Sequence, residues 1–234
     1  MRTDDARATL RPMSLERWEA VDRYLTETFV PADRALTSAL EASEAAGLPA
    51  IAVTPTQGRL LELLARLLQA RKVLEIGTLG GYSTLWLARG LASGGRVLTL
   101  ERDPRHAKVA RESFARAGRS GDIELREGAA LDVLPQLVQE GAGPFDLVFV
   151  DADKPSLPEY FSWSLRLSRP GTLILVDNVV REGEVANAAS ADASVQGVRR
   201  MNEIISAEPR VSATTLQVVG GKGYDGLAFV LVER

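Results

Sequence analysis

Cysteine is absent from the 234 residues, so the chain has no disulfide framework, iron–sulfur cluster or zinc–thiolate site. The single histidine, His106, rules out a centre built from several imidazoles. No apolar run approaches the ~18 residues needed to span a bilayer, and the opening Met1-Arg-Thr-Asp-Asp-Ala-Arg7 lacks the apolar stretch of a secretory signal. Positive charge is not in excess: 28 basic against 31 acidic residues argue against a nucleic-acid backbone as the main partner. These absences predict a globular cytoplasmic protein whose partners are neither nucleic acid nor membrane. At ~150 residues per domain the length suits one α/β domain over 1–234.

What is present alternates. Residues 1–12 are polar and end in Pro12, which predicts a loose tail. From Ser14 to Ala46 the pattern is helical, with Leu15, Trp18, Val21 and Leu25 at three- and four-residue steps and a break at Pro31. Thr54-Pro-Thr-Gln57 has the form of a capping box opening a leucine-rich helix. Strands are then predicted at 72–76, 96–101, 123–125, 145–150 and 172–176. Helices are predicted at 82–91, 104–117, 131–139, 158–167 and 195–207. Two late β segments, 213–219 and 227–232, flank Gly220-Gly-Lys-Gly223. Strand–helix alternation predicts a doubly wound, mostly parallel α/β sheet with helices on both faces, and the closing β–β pair predicts an antiparallel strand at the C-terminal edge.

Ligands of an open parallel sheet bind beyond the carboxyl ends of its strands. The first end is the turn Glu75-Ile-Gly77-Thr78-Leu-Gly80-Gly81-Tyr-Ser83, where glycine lets a ligand approach the backbone and helix amides favour an anionic group. Leu79 and Tyr82 break the dinucleotide fingerprint, which counts against a nicotinamide-dependent oxidoreductase. Glu101 ends the second strand and could accept both vicinal hydroxyls of a ribose; the competing role is to cap the helix at Pro104. Asp151 and Asp177 end the fourth and fifth strands. If those strands are neighbours, their axes lie ~4.8 Å apart, and the two carboxylates with Asn178 could grip a hard cation. Mg²⁺ suits such oxygen ligands best, with Mn²⁺ or Ca²⁺ as alternatives. Either carboxylate could instead pair with Lys154 or Arg181. Lys154 itself reads either as a general base or as a surface salt-bridge partner. His106 and the Arg199-Arg200 pair are expected on solvated helix faces, and Trp18, Trp86 and Trp163 in packing.

Three segments carry a family resemblance: Val73-Leu-Glu-Ile-Gly-Thr-Leu-Gly-Gly-Tyr-Ser83, Phe145-Asp-Leu-Val-Phe-Val-Asp-Ala-Asp-Lys154 and Val176-Asp-Asn-Val179. Together they resemble the class I S-adenosylmethionine-dependent methyltransferases, and within them the cation-dependent catechol and caffeoyl-CoA O-methyltransferases. The resemblance is strong from about Thr54 to Val185, and Gly221-Lys-Gly-Tyr-Asp-Gly226 is similar to bacterial members. It implies a Rossmann-like seven-stranded sheet with extra N-terminal helices. It also implies a donor site lined by Val53, Glu75, Gly77, Thr78, Gly81, Ser83, Glu101, Ala129 and Asp151. Asp151, Asp177 and Asn178 would bind the cation, with Asp151 and Lys154 catalytic and Lys154 as base. A small phenolic acceptor and a homodimer are implied as well. Leu157 and Arg181 depart from the aromatic residues frequent at those places, which bears on acceptor identity. The remaining alternatives are a non-catechol hydroxyl acceptor and a nucleoside-binding protein without catalysis.

Overall fold

The computed structural model describes residues 15–234; the expected tail at 1–12 lies outside them. Three helices come first: α1 (Leu15–Phe29), α2 (Arg34–Ala45) and α3 (Pro55–Leu67). The Thr54–Gln57 capping box starts α3 as expected, with Pro55 in its first turn. Then follow β1 (Lys72–Ile76), α4 (Tyr82–Gly90), β2 (Arg96–Glu101), α5 (Pro104–Arg116), β3 (Ile123–Glu127) and α6 (Ala130–Gln139). The chain continues with β4 (Leu147–Val150), α7 (Leu157–Arg166), β5 (Leu173–Asp177), α8 (Ala193–Ala207), β6 (Val211–Gly220) and β7 (Gly223–Val232).

The seven strands among the described residues join one sheet in the order β3-β2-β1-β4-β5-β7-β6. The first five are parallel and β7 runs antiparallel to β5. The C-terminal strand lies one place in from the edge, which β6 occupies. β6 and β7 are each longer than their apolar segments, because a tight hairpin continues the ladder to the Gly220–Gly223 pair. Likewise β3 runs two residues past Leu125, since Arg126 and Glu127 still pair with Leu100 and Glu101 of β2.

Period-two alternation explains both layers. Leu74, Ile76, Val148, Val150, Ile174 and Val176 point into a core closed by α6, α7 and α8. Val73, Val97, Leu147, Phe149 and Leu175 point to the opposite face, against α3, α4 and α5. Strands buried on both sides must be apolar throughout, as β4 (Leu-Val-Phe-Val) is. Trp86 is buried in the second layer, and its indole occupies the space that a side chain at Gly58 would need. By contrast α1 has no buried residue, and Val21, Tyr24 and Phe29 are exposed.

Candidate active site

Backbone ladders set the site before any side chain does. Beyond the paired strands, Gly77 N–H donates to Leu100 C=O (3.0 Å), Asp151 N–H to Ile76 C=O (2.9 Å) and Gly128 N–H to Glu101 C=O (2.9 Å). Val150 of β4 pairs with Val176 of β5. Gly128, Glu101, Gly77, Asp151 and Asp177 therefore stand in a row along one sheet edge. β7 is antiparallel and pairs Leu227 with Asp177, so residues 220–226 of the β6–β7 hairpin project past that edge.

A cavity of about 480 Å³ opens over this row. Val53, Gly77, Thr78, Ser83, Glu101, Asp151, Lys154 and Asn178 all line it, as does His106. Gly77 has φ +100°, and a Cβ there would land on the Asp151 carbonyl oxygen, so the crossing of β1 and β4 demands glycine. Gly81 begins α4 at φ +88° against the Phe114 ring, and Ala129 lies between the wall residues Gly128 and Ala130; neither is itself part of the wall.

Glu75 also lies off the wall. It is wholly buried and accepts hydrogen bonds from Ser83 Oγ (2.6 Å), Thr84 Oγ1 (2.5 Å) and Thr99 Oγ1 (2.6 Å). Burial raises its pKa from 4.5 to about 7 against the lowering effect of those three hydroxyls. Its place is beneath the glycine turn: the strand alternation that puts Ile76 on one face turns Glu75 to the other.

Glu101 Oε2 accepts from the Thr78 and Leu79 N–H groups (3.3 and 2.8 Å), and Oε1 from Asp103 N–H (2.9 Å). The cap of α5 is Asp103, so the helix-capping role does not fall to Glu101. His106 corrects an expectation. Its side chain is only 19% exposed, with Nδ1 3.6 Å from Glu101 Oε1 and Nε2 3.8 Å from Asp103 Oδ2. One turn into α5, the ring folds back toward the strand tip instead of outward.

The acid pair has an uneven environment. Asp151 Oδ1 accepts from Lys154 Nζ at 3.1 Å, an ion pair in which Lys154 is buried. Asp177 is buried and meets neutral donors: Gln57 Nε2 at 3.1 and 3.2 Å and the Asn178 N–H at 2.8 Å. Burial, reinforced by the charge on Asp151 and opposed by that on Lys154, pushes the Asp177 pKa up to about 7. Asp177 borders a second cavity, of about 520 Å³, rather than the first; Val53, Asn178 and Arg181 line both.

A sequence model described as O-methyltransferase matches residues 27–230. The chain belongs to the O-methyltransferase family. As a member it is an S-adenosylmethionine-dependent methyltransferase. A catechol O-methyltransferase of Niastella koreensis is 52% identical over 221 residues, 94% of this chain and all of that one. Among solved structures, the Bacillus cereus O-methyltransferase in complex with SAH is 55% identical with a TM-score of 0.93, covering 94% of this chain and all of the other. The Streptomyces achromogenes O-methyltransferase of tomaymycin synthesis, in complex with SAM, is 50% identical with a TM-score of 0.92, over 95% of this chain and all of its counterpart.

Three residues of this O-methyltransferase escaped the motif reading. Gln57 is visible in sequence only as the third residue of a capping box, yet its amide also holds both oxygens of Asp177. Lys222 lies in a glycine-rich turn, and the hairpin brings it to the second cavity. Arg199, expected in solvent, donates to Val185 C=O at 2.6 Å and so ties α8 to the turn after Asn178. Each contact joins distant segments, and no local periodicity reports it.

Proposed function

We propose that this enzyme moves the methyl group of S-adenosylmethionine to a hydroxyl of a catechol-like small molecule, assisted by a divalent cation. The donor fits the first cavity. Glu101 would accept the ribose hydroxyls, and Gly77, Thr78 and Ser83 would border the methionine part beside Val53. Glu75 supports that turn from below through Ser83 and Thr84.

The observation that carries the cation reading is the Asp151–Asp177 pair. Asp177 is a buried carboxylate whose hydrogen-bond donors are all neutral, and burial first, then the charge on Asp151, raise its pKa against the opposing effect of Lys154. Two carboxylates and the Asn178 amide oxygen form a hard, all-oxygen ligand set. These three residues would hold the ion, which when bound stabilises negative charge on a phenolic oxygen. Lys154, buried beside Asp151, is the chain's base for the phenolic proton. The sheet edge would hold acceptor and donor side by side, adding proximity and orientation to the charge stabilisation. The Niastella relative, named a catechol O-methyltransferase, supports the acceptor class. Methyl transfer to a panel of vicinal diphenols, with and without EDTA, tests the reading; turnover insensitive to chelation overturns the cation assignment.

The exposed apolar residues of α1 and of the edge strand β6 (Leu216, Val218, Val219) suit a second copy of the chain. A homodimer burying this face is the proposed assembly, and a monomeric mass by light scattering at micromolar concentration refutes it.

A further inference from the structure

The second cavity sets Asp177 and Asn178 against two cationic side chains from different elements, Arg181 on the turn after β5 and Lys222 on the β6–β7 hairpin. Most of its carboxylates are already engaged. Asp22 accepts from Gly221 N–H (2.7 Å), Asp192 from Ser194 N–H (2.6 Å) at the start of α8, and Asp225 Oδ1 from the N–H groups of Val180, Arg181 and Gly226 (2.9–3.0 Å). Glu182 and Glu184 are exposed at the rim, where solvent and salt weaken them.

The cations are not matched in the same way. Arg181 Nε is buried with no acceptor, and the Nη1 contact to Asp225 Oδ2, at 3.7 Å, is too long for a hydrogen bond. Lys222 makes no hydrogen bond or ion pair among the described residues. Arg181 is also held in place: its backbone and that of Glu182 take φ values of 54° and 55°, and Asp225 clamps the turn through two N–H groups. A non-glycine residue in the left-handed region costs free energy, and such conformations persist where the surroundings fix them. The guanidinium is thus presented to both cavities by a rigid turn, with unused donors in a fixed fork suited to a carboxylate.

We propose that Arg181 and Lys222 recognise an anionic substituent on the acceptor, so that the preferred acceptors are catechols bearing a carboxylate. The inference rests on the vicinal-diphenol reading and narrows it. Directional donors without acceptors decide it over the net acidity of the lining, because Asp22, Asp192 and Asp225 already accept from backbone N–H groups, Asp177 from Gln57 and Asn178, and Glu182 and Glu184 face solvent.

Isothermal titration of the SAH-saturated protein in magnesium chloride tests this without turnover. The probes are 3,4-dihydroxybenzoate, 4-methylcatechol and dopamine. The carboxylate is expected to bind at least tenfold more tightly than 4-methylcatechol, and dopamine no better than 4-methylcatechol. Arg181→Gln and Lys222→Gln should each reduce the carboxylate preference several-fold, and Arg181→Lys should keep part of it. Equal affinity for the carboxylate and the neutral catechol, or a preference untouched in both glutamine variants, overturns the inference while leaving the diphenol reading standing. Failure of all three probes to bind overturns the diphenol reading and this inference with it.

Discussion

Glu75 offers a sharp test because its energetics can be isolated from turnover. In the folded protein its carboxyl has no access to solvent, and its pKa rises from 4.5 to about 7. Between those values the native state binds more protons than the unfolded chain, so stability must fall as pH rises through that window and level off above it. At 1.36 kcal/mol per unit the full effect is about 3 kcal/mol, of which about 2–3 kcal/mol is spread between pH 5 and pH 8. Glu75→Gln keeps the size and one carbonyl acceptor but cannot ionise, and the Ser83, Thr84 and Thr99 hydroxyls can rotate to accept from its amide. Urea unfolding of both proteins at pH 5 and pH 8, in EDTA and without donor, gives the comparison. Ligand-free conditions matter, because a bound donor would add its own stabilisation. Asp177 titrates over the same window in both proteins and cancels in the difference. The wild type should lose about 2 kcal/mol more than the variant on going to pH 8. Matching pH dependences to within about 0.5 kcal/mol would refute the desolvated placement of the Glu75 carboxyl under the glycine turn.

Further outcomes follow from the same geometry. Asp177→Ala and Asp151→Ala should lower magnesium-dependent turnover by about 10²-fold or more, since several kcal/mol of charge stabilisation are removed, yet still bind SAH by calorimetry; full turnover in excess chelator would contradict this. Gly77→Ala forces a Cβ onto the Asp151 carbonyl at φ +100° and should cost about 1–3 kcal/mol, read as a fall of several degrees in Tm. Glu101→Gln should weaken SAH binding at least tenfold by removing charge-assisted acceptance of the ribose hydroxyls, and His106→Ala should weaken it less; unchanged affinity in Glu101→Gln would place the ribose elsewhere.

The order of most strands and helices was legible because burial on both faces leaves short, largely apolar runs, each followed by a polar or glycine-rich end; the edge strand β3 shows only as Ile-Glu-Leu. The same rule located Gly77, Glu101, Asp151 and Asp177, since strand tips are fixed once the strands are. The sequence pattern is silent where a side chain's direction depends on its neighbours. Glu75 is one residue from the turn, but the pleat points it into the opposite layer. His106 occupies a helical position that pattern alone assigns to solvent, yet it faces Glu101 because α5 starts directly above that strand tip. Gln57 reaches Asp177, and Lys222 the cavity that Asp177 borders, across long stretches of chain, through a helix start and a hairpin whose local sequences speak only of caps and turns.

The site therefore divides into parts of different rigidity. Asp151 directly follows β4, with its N–H bonded to Ile76 C=O, and Asp177 ends β5 paired with Leu227, so their separation is set by sheet geometry and resists change in the surrounding loops. Arg181 and Lys222 ride on turns outside the ladder, one fixed by the Asp225 clamp and the other free at a hairpin tip. On the proposed reading, a substitution in those turns should alter which acceptor is held without displacing the carboxylates. Loss of Asp225 is the exception: three backbone N–H groups would lose their acceptor at once, and the turn that follows Asn178 would relax from its left-handed conformation. Asp225→Ala should accordingly impair acceptor affinity more than Arg181→Gln does, while SAH, for which the β1 and β2 tips are the proposed site, should bind almost as before; a larger loss for SAH than for the acceptor would show that the turn belongs to the donor site.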